Sequence, residues 1–201
     1  DSGTDFVSQR HAGMGFGSGV VASGRLWQAR HGVDELVTVH IDGIVQCLDA
    51  STRAVSAQAS LAEGSVPTCA STSLAANLVA VGSADGVLRV FLRTLAAEGG
   101  LQLIWRQRLS KEKVSQCAFD ASGLYLAAAC ADSNLFCISI GASIERLPVI
   151  NLPAPPASLC WCPAAPKGAA PKLLVALSDA RLLRLEPPRP GSVHSFENVT
   201  L

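Results

Sequence analysis

Four groupings in the 201 residues have side chains at spacings that could do chemistry. The first is the glycine-rich stretch Gly13-Met14-Gly15-Phe16-Gly17-Ser18-Gly19. A phosphate loop needs a lysine and a hydroxyl entering a helix, so that backbone N–H groups and the ammonium meet the phosphates. No lysine occurs in this stretch. A dinucleotide fingerprint needs a strand before it and a helix after it. Here Val20 to Gly24 is a short apolar run that leads to another apparent strand, so the stretch reads as a lead-in loop. The second grouping is the histidines, His11, His31, His40 and His194. None lies three or four residues from another, so no helical metal pair exists. No Gly-x-Ser-x-Gly elbow in a strand-turn-helix setting surrounds Ser18.

The third grouping is the seven cysteines, at 47, 69, 117, 130, 137, 160 and 162. The number is odd and most sit inside apolar runs, where a free cysteine acts as a small hydrophobe. A reducing compartment suits that usage better than a secreted one. Cys160-Trp161-Cys162 is the one tight pair, and on a strand its sulfurs would share a face. A zinc site needs a second such pair, and none is present. The fourth grouping is basic: Trp105-Arg106-Gln107-Arg108-Leu109-Ser110-Lys111-Glu112-Lys113. On a strand, Arg106 and Arg108 project to one face and Trp105 to the other. Together with Lys111 and Lys113 they form either a solvated outer strand running into a loop or a docking patch for an acidic partner. No catalytic residue, cofactor or metal site is expected.

The elements that position these residues follow from an internal period. An apolar run, a tight turn built on aspartate and a second apolar run recur four times. The turns are Asp42-Gly43, Asp85-Gly86, Asp132-Ser133 and Asp179-Ala180, spaced by 43, 47 and 47 residues. A period of this size marks a repeat architecture. Asp-Gly between apolar runs is a strong hairpin signal because the turn wants positive φ. The Asp-Ser and Asp-Ala versions are weaker and are expected to use a longer turn. A run upstream of each hairpin (25–29, 66–70, 114–119, 157–161) and one downstream bring each unit to four short antiparallel strands.

The pattern resembles the WD-repeat family of β-propellers, most closely over Val114 to Ile140. There an apolar strand, the turn Asp120-Ala121-Ser122-Gly123, a Leu-Ala strand, an Asp turn and a closing strand follow one another. The family closes its third strand with Trp-Asp. Here the equivalent pairs are Leu48-Asp49, Phe91-Leu92, Ile138-Ser139 and Leu185-Glu186, and the family's Gly-His dipeptide is missing. Repeats of the pyrroloquinoline-quinone type are a nearby alternative, since Leu48 to Arg53 also looks like theirs. The resemblance implies an all-β fold of about four WD-like propeller blades, each of four antiparallel strands, as part of a seven-bladed or larger propeller. The missing Trp, His and Asp would leave blades held mainly by aliphatic packing. The expected organisation is a lead-in over 1–24, blades over 25–62, 63–110, 111–153 and 154–190, and a tail or outer strand over 191–201. Four blades do not make the family's usual ring, so the chain is expected to be a segment of a longer one, its remaining blades coming from that chain or from a partner.

Composition narrows the function. Sixteen basic residues balance sixteen acidic ones, which disfavours nucleic acid as a partner. The longest apolar runs, such as Leu173 to Leu177, are far shorter than the ~20 residues of a membrane-spanning helix. The resemblance implies a non-catalytic protein–protein scaffold in a large cytoplasmic assembly. The high alanine content fits a GC-rich genome such as an alga's, and so a ciliary or axonemal complex. The alternative is a propeller enzyme or small-ligand sensor that uses the central channel. It would need His, Asp or Glu on the innermost strands, where the sequence puts Trp27, Cys69, Cys117 and Cys160.

Overall fold

The computed structural model describes residues 19–28, 33–94, 100–162, 171–188 and 197–199. Among them every regular element is a β-strand, and the strands form four antiparallel sheets in chain order. Sheet 1 holds β1 (Val20–Gln28), β2 (Val33–His40), β3 (Ile44–Asp49) and β4 (Val55–Ser60). Sheet 2 holds β5 (Pro67–Ser73), β6 (Leu78–Ser83), β7 (Val87–Arg93) and β8 (Leu101–Arg108). Sheet 3 holds β9 (Val114–Phe119), β10 (Tyr125–Cys130), β11 (Asn134–Ile140), β12 (Ile144–Arg146) and β13 (Ile150–Asn151). Its last two strands both pair with β11, so its outer strand is broken around Leu147, Pro148 and Val149. Sheet 4 holds β14 (Pro156–Trp161), β15 (Leu173–Leu177), β16 (Leu182–Leu185) and β17 (Glu197–Val199).

Strand alternation explains how these sheets stack. Leu88 and Val90 of β7 point one way and join Leu126, Ala128, Phe136 and Ile138 of sheet 3 in one core. Val79 and Val81 of β6 and Phe91 of β7 point the other way, onto Val37, Val39, Val45 and Cys47 of sheet 1. Ala127, Ala129, Leu135 and Cys137 turn from sheet 3 to Leu173, Val175, Leu183 and Leu185 of sheet 4. Each core is thus the interface between two successive sheets. Among the described residues no fourth core joins sheet 4 back to sheet 1.

The four aspartate turns are one device. The N–H groups of Gly43, Gly86, Ser133 and Ala180 donate to the carbonyls of His40, Ser83, Cys130 and Leu177 at 2.9, 3.1, 3.2 and 3.2 Å. All four residues have positive φ, between 64° and 85°. Each aspartate Oδ1 accepts the N–H two residues on, at 3.1 to 3.3 Å. The expected longer turn at Asp132 and Asp179 is therefore corrected. The carboxylate clamps the same turn in every sheet, so a residue with a Cβ is carried into the left-handed region at a cost of about 1 kcal/mol.

The expected lead-in over 1–24 needs a second correction, because β1 starts at Val20 and runs unbroken through Gly24, which pairs with Val37. Gly24 reads as a breaker, yet it marks a close approach. A Cβ there would stand 2.6 Å from Thr72 Cγ2 of the next sheet. Within 191–201, residues 197–199 pair with β16 as an outer strand. Gly13 to Ser18, His11, His31 and His194 lie outside the described residues.

Candidate functional site

The first strands of successive sheets meet at one axis. β1 packs against β5, β5 against β9, and β9 against β14. Polar groups tie them: Thr68 Oγ1 donates to the Val114 carbonyl at 2.5 Å, and the Phe119 N–H donates to Ser71 Oγ at 3.1 Å. Trp161 Nε1 donates to the Ala118 carbonyl at 2.8 Å. The last strands lie at the opposite, outer ends of the sheets. Four-stranded antiparallel sheets arranged radially, first strand at the hub and last at the rim, are the geometry of propeller blades.

Comparison with solved structures agrees. The chain is similar to BBS1N in complex with ARL6DN, solved with a lead soak, with a TM-score of 0.67 and 14% identity over 90% of this chain and 53% of that one. A mercury-soaked form of that complex matches with a TM-score of 0.68 and 14% identity, covering 90% and 55%. The β-propeller domain of Cps50 (Swd1) from Myceliophteria thermophila matches with a TM-score of 0.61 and 20% identity, covering 78% and 50%. The fold is a β-propeller. The chain spans about half the length of the solved propellers it matches. No protein-family model and no curated protein sequence matches it.

The hub strands β5, β9 and β14 offer Thr68, Cys69, Ser71, Ser115, Gln116, Cys117, Ser158 and Cys160, and their sequences contain no Asp, Glu, His, Lys or Arg. The side chain of Trp27 lies outside the described residues. The Cys117 thiol is held well above its ordinary pKa by the Cys69 thiol beside it and by burial. Burial alone pushes Cys137 up to about 12, and it is the main cause of similar values at Cys47 and Cys130. These thiols are core fillers and poor nucleophiles. Cys160 is exposed and Cys162 half-buried.

Blades are joined by charge as well as by aliphatic packing. Glu35 of blade 1 and Arg93 of blade 2 form a buried bidentate pair, Nε to Oε2 at 2.9 Å and Nη2 to Oε1 at 2.7 Å. Ser56 Oγ donates to the same carboxylate at 2.5 Å. Burial pushes the Glu35 carboxyl up, but the Arg93 and Ser56 hydrogen bonds outweigh it and hold the group below its ordinary range. Ser65 Oγ donates to Asp85 at 3.3 Å, and Ser110 Oγ donates to Asp132 at 2.5 Å. Links between blades are thereby pinned to the turn aspartates of the blade that follows. Asp49, the one aspartate left from the Trp-Asp pairs, clamps Ser51 and Thr52 between β3 and β4. Those bonds, led by the Ser51 hydroxyl, lower its pKa to about 2. The inter-blade pair Glu35–Arg93 was hidden in the sequence, because its members are 58 residues apart.

At the rim, the structure places the basic residues as follows. Arg106 and Arg108 are exposed on β8, and Lys111 and Lys113 are exposed on the link to β9. Trp105 is half-buried and packs on the core shared with blade 3. Arg106 stands directly across from Arg89, and Arg108 from Val87, on the face toward blade 1. Arg89 itself is buried, donating to Ser83 Oγ and Ser65 Oγ at 2.8 Å each, with Asp85 3.7 Å away. Arg108 Nε reaches the Ser110 carbonyl at 3.3 Å. Beside these cations, Leu103 and Ile104 are 47% and 38% exposed.

Proposed function

We propose that this arc of blades belongs to a larger propeller that works as a non-catalytic protein–protein interaction scaffold. The observation that carries the reading is the polarity of the blades. The hub strands of blades 2 to 4 present hydroxyls, thiols and an amide, whereas the rim of blade 2 presents exposed cations beside exposed aliphatics. Such a rim is suited to another protein's surface. A propeller of the same fold, BBS1N, was solved in complex with ARL6DN, which adds support. Arg106, Arg108, Lys111 and Lys113 form the docking patch. The remaining blades come from the same longer chain or from a partner, and cover the outer faces of blades 1 and 4. The setting is a cytoplasmic assembly, with an axonemal complex as the specific case, supported by composition alone.

Purification of the tagged full-length protein under native conditions tests the reading. It should elute in an assembly heavier than itself, with partners in fixed ratio. Recovery as a lone chain overturns the scaffold. Imaging of the same tag tests the setting, and absence from cilia removes the axonemal part.

A further inference from the structure

We propose that the free edge of β8 accepts an extended acidic segment of a partner protein as a fifth strand of blade 2, its carboxylates falling beside Arg106 and Arg108. This deepens the scaffold reading and rests on it.

The outer edges of the four blades differ. A sheet edge carries a row of unpaired N–H and C=O groups, and proteins blunt such edges by shortening, bulging or charging them. Blade 3 breaks its outer strand into β12 and β13, of three and two residues, with Pro148 between them offering no N–H. Blade 4 closes on three described residues, β17. Blade 1 ends in β4, six residues in which small and polar side chains follow Val55. β8 is eight residues long and has no proline, and among the described residues nothing pairs with its far side. A bulge opposite Val90 and Phe91 turns both Leu103 and Ile104 outward.

The charge on this edge chooses the occupant. Residues 101–108 carry two arginines and no acid. A second copy of this edge would bring two more cations and no carboxylate to pair with them, whereas a strand of opposite sign sets an attractive pair across from each arginine. Neither guanidinium has an ion-pair partner among the described residues. Arg106 also faces the buried cation of Arg89, a like-charge cross-strand pair that an incoming carboxylate would relieve. Strand alternation then writes the ligand: acidic residues at alternate positions, followed by an apolar residue that reaches Leu103.

The test uses the full-length protein and the fluorescein-labelled peptide Glu-Thr-Glu-Thr-Val-Thr-Val-Thr, whose two glutamates and following valines share one face, read by anisotropy. Binding should weaken at least tenfold in the double variant Arg106→Glu with Arg108→Glu, and that variant should bind the Lys-for-Glu peptide instead. N-methylation of alternate peptide amides should weaken binding tenfold for one parity and leave the other unchanged, the signature of strand pairing. Equal binding to the double variant, or indifference to both N-methyl parities, overturns the proposal. So does a concentration-dependent dimer that Leu103→Lys dissolves, which would assign the edge to a second copy. If native purification of the double variant still yields the intact assembly, the scaffold stands and β8 is removed from its docking surface.

Discussion

Blades 2 and 3 bury both faces of their middle strands, whereas blades 1 and 4 bury one. In β6 every residue is buried, and in β7 all but Leu92. β10 and β11 are buried through Leu126 to Cys130 and Leu135 to Ile138. In β3 and β15, by contrast, buried and half-buried residues alternate, as one-faced packing requires. Leu36 of β2 and Arg184 of β16 are exposed on the uncovered faces. The same repeat thus gives two kinds of blade, and neighbours decide which.

The largest expected effect lies in a turn of an inner blade. A Cβ at Gly86 would stand 2.1 Å from the Ser110 carbonyl and 2.7 Å from that of Glu112, at a φ of +74°. Gly86→Ala should cost more than about 4 kcal/mol, and thermal unfolding should show a chain that barely folds. The equivalent Gly43→Ala in blade 1 meets the Ser65 carbonyl at 3.3 Å and should cost nearer to 2 kcal/mol. Equal losses would break the distinction between inner and terminal blades.

Glu35→Gln comes next. It leaves Arg93 buried beside a neutral amide and should cost about 3–5 kcal/mol by urea unfolding. The Glu35 pKa in the fold lies below its unfolded value of about 4.3. Its contribution is therefore complete above that pH and disappears as pH falls through the folded pKa. The gap between wild type and Glu35→Gln should narrow in acid below about pH 4. A gap that stays constant into acid would remove the pair as the tie between blades 1 and 2.

Leu88→Ala, fully buried between blades 2 and 3, should cost about 2–5 kcal/mol. Leu36→Ala on the open face of blade 1, 40% exposed, should cost under about 1 kcal/mol in residues 1–201 alone. If further blades cover that face, as proposed, the loss at Leu36 should be larger in a form of the protein that carries them. The smallest effect is a gain. Ser133→Gly and Ala180→Gly relieve positive φ and should each stabilise by about 0.5–1 kcal/mol in thermal melts.

Much of this architecture is legible in the residues. The spacing of Asp42, Asp85, Asp132 and Asp179 locates the central hairpin of each blade, because an aspartate that clamps its own turn works over three residues. The placement of Arg106 and Arg108 opposite Trp105 is legible for a similar reason, since strand alternation needs no distant partner. Gly24 shows the limit. Within β1 it looks like an interruption, and only Thr72 of the next blade reveals it as a point of contact. Glu35 and Arg93 likewise look like ordinary strand charges until two blades close on them.

The sequence by itself determined the strands, their turns and the repeat, all set by periodicity and by hydrogen bonds within a few residues. Tertiary structure alone decided which faces are buried, which charges are paired and which edge is left open. Those properties depend on surfaces that come together only when one blade packs against the next.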